Sequence, residues 1–174
     1  MPVIPRLLAV SRPSTRRFLP ALAGGVLGGV AGGLVKAKWE QVYPPRPEDR
    51  TAPPEILLER AGVDPEDGSQ VEQAGPPAIH YAFSVTAGTA YAVGAELVPG
   101  LRFASGIPYG LGMWGAFHLG LLPALRTAPT PPHQPTQEVW GEASGHIFYI
   151  LTVEGVRWAV RRLLTGGAEE ARAR

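Results

Sequence analysis

Three histidines and a glutamate stand where almost nothing else is ionised. His80, His118 and His146 each fall inside an apolar stretch, and Glu142 precedes His146 by four residues. On a helix that spacing puts Glu142 and His146 on one face. Imidazole titrates near neutrality, so converging histidines can sense or relay protons. They can equally be structural groups bonded to hydroxyls such as those of Ser84, Tyr91 or Tyr149. A metal site is a third reading, but no HExxH or HxxxH spacing occurs and the ligands would come from different helices. No metal or cofactor is therefore expected. Lys36 or Glu40 would approach the group from an earlier segment. A second polar set is Glu96, Glu154 and Arg157. Glu154 and Arg157 are three apart and should pair on one helix face, with Glu96 meeting Arg102 or Arg157 across a bundle. No GxSxG surrounds a serine, and the chain has no cysteine. Nucleophilic catalysis has no carrier, and no enzymatic activity is expected.

The segments that must position these groups are marked by missing charge. Residues 18–35 carry none, and residues 103–125 hold no Asp, Glu, Lys or Arg. Residues 78–101 hold only Glu96, and 143–156 only Glu154. A bilayer core about 30 Å thick takes about 20 helical residues. With their flanks, the stretches predict spans at about 18–36, 78–99, 103–125 and 143–162. The expected fold is all-α, a bundle of four transmembrane helices. Strands fit poorly, since polar and apolar residues do not alternate. A soluble bundle would need polar outer faces, and residues 103–125 offer none. A mean hydropathy of +0.02 reflects averaging over the polar segment 37–77 and over Gly-rich spans. Charged residues make up 18% of the 174, below the usual figure of about 25%. Sixteen Lys and Arg against fifteen Asp and Glu leave no basic excess for nucleic acid.

Charge distribution sets the expected topology. Residues 1–17 carry Arg6, Arg12, Arg16 and Arg17 without an acid, and Arg102 lies between the second and third stretches. Arg157, Arg161, Arg162, Arg172 and Arg174 follow or end the fourth. Segment 37–77 holds nine acids and four bases. Basic residues favour the cytoplasm. The reading is a basic cytoplasmic arm (1–17), a membrane domain (18–164) and a cytoplasmic tail (165–174), with 37–77 outside. Lys36 and Lys38 sit on the opposite side from the other bases. Thr15-Arg16-Arg17-Phe18-Leu19 lacks the residue that a twin-arginine leader places before its Phe, so an uncleaved first span is expected. Gly24, Gly28 and Gly32 form one ridge of small residues, and Gly25, Gly29 and Gly33 a second beside it. Such ridges let backbones approach closely. The doubled width favours packing within the bundle over a homodimer face. Gly112, Ala116 and Gly120 make a similar ridge later. Trp39 and Tyr43 suit the membrane interface. Pro44, Pro45 and Pro47 stop the first helix, and Pro53 opens a short interfacial helix ended by Gly62. Expected partners are lipid, a second copy of the chain or another membrane subunit.

Motifs ordered along the chain carry a resemblance. They are Lys36, Trp39, Glu40, Pro44, Pro45 and Arg46 at the membrane interface, then Ile79-His80, Ser84, Tyr91 and Ala95-Glu96. Phe117-His118, Pro123, Glu142, Gly145-His146, Glu154 and Arg161-Arg162 follow. Over about residues 18–164 the chain resembles the YagU-like family of small bacterial inner-membrane proteins of unknown function. The resemblance implies a multi-pass inner-membrane protein with a link to acid resistance, and it carries no substrate or catalytic residue. The glycine-loaded first span, the shorter central region and the lack of cysteine depart from that pattern. Three roles follow as expectations. One is acid or envelope stress resistance through titratable intramembrane His and Glu. The others are an oligomeric transporter or channel for protons or small solutes, and a structural subunit of a membrane complex.

Overall fold

The computed structural model describes residues 15–47, 50–63 and 68–172. The expectations for the basic arm before Thr15, for acids 48–49 and 64–67, and for Arg174 lie outside the described residues. The order is α1 (Thr15–Val42), short α2 (Pro53–Arg60), α3 (Gln70–Leu97), a tight turn (Pro99–Gly106), α4 (107–124) and α5 (Thr136–Arg172). The protein is all-helical, with no strand among the described residues.

The helix ends differ from the expected spans. α1 runs past Lys36 to Val42, where Pro44 and Pro45 end it. α3 begins at Gln70, well before residue 78, and carries Pro76 and Pro77 inside it. Ser69 caps it, its hydroxyl accepting from the Glu72 N–H at 3.1 Å. That capped start makes residues 70–77 helical ahead of the span expected from residue 78. Residues 103–106 are not part of a long third helix. Ala104, Ser105 and Gly106 take successive left-handed conformations (φ 47, 55 and 82). Gly106 is required there, since a Cβ would lie 2.6 Å from the Tyr91 hydroxyl. α5 starts at Thr136 rather than 143 and extends beyond residue 162. α2 falls where Pro53 and Gly62 placed it, and Gly62 has φ +90.

α1 lies between α3 and α5, and its two glycine ridges divide the work. A Cβ on Gly24, Gly28 or Gly32 would press on Arg157, Val153 or Tyr149 of α5. A Cβ on Gly25, Gly29 or Gly33 would press on Thr89, Val85 or Ser84 of α3. Gly88 answers Gly29 from the α3 side. Both ridges are therefore occupied within the chain. The later ridge behaves differently. Nothing lies within 4 Å of a Cβ on Gly112, and Gly120 approaches only its own helix. That face of α4 packs against no other helix, contrary to the sequence expectation.

The interior holds apolar and ionisable side chains together. Tyr91, Tyr149, Ile150 and Val153 fill the centre, and Lys36, Glu138, Glu142, His146 and Arg157 are also buried. Leu19, Leu22, Leu27, Leu34, Trp158 and Leu163 are exposed. Among the described residues, α1 over Phe18–Val42 is the one helix long and apolar enough to cross a membrane by length and composition. α3 and α5 have the length, but small and ionisable residues dilute their apolar runs. α4 is broken by a widened turn.

The ridge geometry sets an expected outcome. Gly29→Ala places a methyl 2.6 Å from the Val85 Cα, and overpacking of this kind costs about 1–3 kcal/mol. Gly112→Ala, with no neighbour to meet, should be neutral or slightly stabilising because alanine favours the helix. Chemical unfolding of the two variants in detergent micelles, followed by circular dichroism, measures the contrast.

Candidate functional site

α5 presents Glu138, Glu142 and His146 at four-residue intervals, which keeps them on one stripe. Beside the stripe, Gly141 and Gly145 leave room for the end of α1. A Cβ on Gly141 would lie 3.0 Å from Pro45, and one on Gly145 would lie 3.4 Å from the Lys36 side chain. The Pro44–Pro45 corner turns the chain back over α5, where Gln137 Nε2 donates to the Pro44 carbonyl at 2.7 Å. This turn delivers Arg46 to the stripe. Trp39 stacks with Tyr43, tilts against Phe148 and donates its Nε1–H to Ser144 at 2.9 Å. In the structure, residues of the motif expected at a membrane interface dock α1 on α5.

Glu142 is the hub. Its side chain is 1% exposed, and Lys36 Nζ reaches its Oε2 at 3.0 Å. Arg46 pairs with its other oxygen, Oε1. His118 Nε2 lies 3.4 Å from Oε2. Lys36 also pairs with Glu40. Arg46 Nε lies 3.6 Å from Glu138, and Arg50 donates to Glu138 at 2.6 Å. Every carboxylate here meets a cation, as burial of charge requires. His146 Nδ1 lies 2.8 Å from the Glu142 carbonyl oxygen. A carbonyl only accepts, so Nδ1 carries a proton, and in the neutral ring Nε2 is the bare nitrogen. The rings of His118 and His146 meet edge to face at 5.1 Å.

His118 arrives on an unusual piece of backbone. Residues Gly115–Leu121 form a π-helical turn, a widening that recurs at functional sites. Pro123 brings no N–H to this turn, and the His118 carbonyl is taken by Gln134 Nε2 at 2.7 Å. His80 does not join the cluster. Its Nε2 lies 3.4 Å from the Gly33 carbonyl oxygen, and its ring packs on Tyr81. His80, His118, Glu142 and His146 do line one cavity of about 330 Å³, whose apolar side includes Phe83, Met113 and Phe117.

The two tyrosine hydroxyls considered as imidazole partners are committed elsewhere. Tyr149 donates to the Ser84 carbonyl at 2.5 Å, and Tyr91 to Glu154 at 3.1 Å. Tyr91 thereby joins the second polar group. Arg157 donates to both oxygens of Glu154, at 2.6 and 2.8 Å, and to Glu96 at 3.0 Å. Arg161 also pairs with Glu96. The expected Glu154–Arg157 pair is present, and Glu96 is met by Arg157 and Arg161. Glu142 and Arg157 are fifteen residues apart on α5, about 22 Å at 1.5 Å per residue, so the two clusters are separate. Sequence reasoning missed Glu138 and Arg50. The spacing Glu138, Glu142, His146 was visible, but Arg50 comes from a loop with no periodicity to place it.

Removing the cation at the second cluster has a defined cost. Arg157→Met leaves Glu154 without its bidentate partner and Glu96 with Arg161 alone, and breaking buried pairs of this kind costs about 3–5 kcal/mol. Arg162→Met, an exposed residue stacked on Trp158, should cost less than about 1 kcal/mol. Parallel unfolding measurements decide between them.

Comparison with curated proteins and with solved structures finds no match. A family model described as "Protein of unknown function (DUF1440)" matches residues 30–155. The matched region runs through the whole Glu142 site, from Lys36 to His146, and stops short of Arg157. The chain belongs to this DUF1440 family.

Proposed function

We propose that this chain is a four-span protein of the bacterial inner membrane, of the YagU-like kind, that takes up a small solute in the cavity beside Glu142. α1, α3, α4 and α5 are the spans, both termini are cytoplasmic, and α2 lies at the outer interface. The observation that carries this reading is the cavity itself. Its wall is apolar, its floor is a buried ion-paired carboxylate with two imidazoles, and charged groups are buried while leucines on α1 and α5 are exposed. Apolar cavities with a few convergent polar groups are the usual form of a small-molecule site. Charges hidden inside a bundle with an apolar exterior fit lipid as the solvent. Working as an oligomer would let four short spans enclose a path. Acid or envelope stress is the physiological setting, supported by the resemblance of the ordered motifs to the YagU-like family.

The absence of native cysteine makes topology directly testable. Thr51→Cys should react with a membrane-impermeant maleimide in intact spheroplasts, and Arg102→Cys only after permeabilisation. Equal reaction of both before permeabilisation would remove the topology. For the cavity, purified protein in liposomes should pass protons or a small organic solute above empty vesicles. Met113→Trp should abolish that flux and, in a deletion strain, acid survival, while leaving insertion intact. Folded wild-type protein with no flux above the control would reject the solute reading.

A further inference from the structure

We propose that His118, Glu142 and His146 form a binding site for a divalent transition metal of the zinc type. Each residue offers one ligand atom, and the three atoms lie within 4.8 Å of one another. Tetrahedral zinc with bonds of about 2.0–2.1 Å sets its ligands roughly 3.4 Å apart. His118 Nε2 and Glu142 Oε2 already stand at 3.4 Å. Small side-chain movements close the rest.

The surroundings prepare the ligands. The Glu142 carbonyl holds the Nδ1 proton of His146 at 2.8 Å, which leaves Nε2 as the donor atom. Metal-ligating histidines ordinarily donate their other ring N–H to a carbonyl or carboxylate in this way. His118 is presented from the π-helical turn, whose carbonyl at His118 is anchored by Gln134. Two imidazoles and one carboxylate suit zinc and its neighbours, whereas calcium and magnesium require oxygen ligands. All three residues line the cavity, so the remaining coordination position is open to water or to what enters there. The site therefore has the three-ligand form of a reactive metal centre rather than the closed four-ligand form of a structural one.

The cations on Glu142 must be accounted for. Lys36 and Arg46 each hold one of its two oxygens. Each has a second carboxylate within reach, Glu40 for Lys36 and Glu138 for Arg46. An incoming ion takes Oε2, Lys36 shifts wholly onto Glu40, and Arg46 keeps Oε1. Lys36 is thus a competitor for the metal, and that gives the proposal a sign. The proposal requires neither the topology nor the solute uptake argued above, and its test is independent of both.

The test uses the tag-free full chain in detergent, stripped with a chelator and titrated with Zn2+ against a chromophoric competitor. Co2+ serves as a visible probe of tetrahedral geometry. Wild type should bind one equivalent of zinc, and Mg2+ should not compete. His118→Gln and His146→Gln should each weaken binding by more than about 100-fold, since even second-shell changes cost about 10–100-fold. His133→Gln, on an exposed loop turn, should leave binding unchanged. Lys36→Met should tighten binding by about tenfold or more, because it removes a competing unit charge from the site. Glu142→Gln strands two cations and can fail to fold, so the decision rests on the histidine and lysine variants, with fold checked by circular dichroism. No stoichiometric zinc on wild type, unchanged binding in both histidine variants, or looser binding in Lys36→Met would each overturn the proposal.

Discussion

A carboxylate that is almost wholly removed from solvent has to be paid for by its neighbours, and Glu142 recruits them from three parts of the chain. Lys36 comes from α1, Arg46 from the turn that follows it, and His118 from α4. An isolated buried charge would cost several kcal/mol, so these elements cannot drift apart without exposing or stranding it. The same constraint recurs about 22 Å along α5, where Arg157 ties Glu96 of α3 to Glu154 of α5. The bundle is fastened at two levels by charge, with Tyr91, Tyr149, Ile150 and Val153 packed in the centre.

Charge could not fasten these helices unless their backbones came close first. The glycines of α1 provide that approach. With Val153 and Val85 at the positions a Cβ would occupy, the α1 axis sits near its minimum distance from both α5 and α3. Lys36 comes three residues after Gly33, the last glycine of the two ridges. Its backbone position is therefore set by packing, and only its four-carbon stem has freedom. Electrostatics then selects among the carboxylates within reach, and the two that it finds are Glu142 and Glu40.

The all-helical architecture was legible because uncharged stretches and 3.6-residue spacing need no tertiary information. The four-residue glycine spacing also showed that α1 packs tightly. It could not show that one ridge serves α3 and the other α5, since that depends on the rotation of α1 between them. The same limit explains the Gly112 ridge, which has the same spacing and meets no other helix. Gathering His118 with Glu142 and His146 was within reach of their common place in or beside uncharged stretches, but His80, which also falls in one, turns to the Gly33 carbonyl instead. The π-helical turn left no trace in composition beyond Pro123. The early start of α3 was hidden by Pro76 and Pro77, which ordinarily mark a helix beginning, whereas here Ser69 had already capped it.

These packing differences give the site two kinds of support. Glu142, His146 and Lys36 stand on α5 and α1, which glycine contacts hold together on both sides of the cluster. α4 is secured near its start, where Tyr109 donates to the Ala87 carbonyl at 3.0 Å and Gly110 lies against Ile150. Further along, Gly112 and Gly115 have no neighbour at the Cβ position, and the helix loses its regular pitch. His118 lies on that widened turn, 3.4 Å from Glu142 and edge to face with His146. The pair on α5 is thus positioned by close backbone packing against α1, whereas His118 is positioned by the widened turn, by Gln134 on its carbonyl and by its neighbour Phe117 against Phe83.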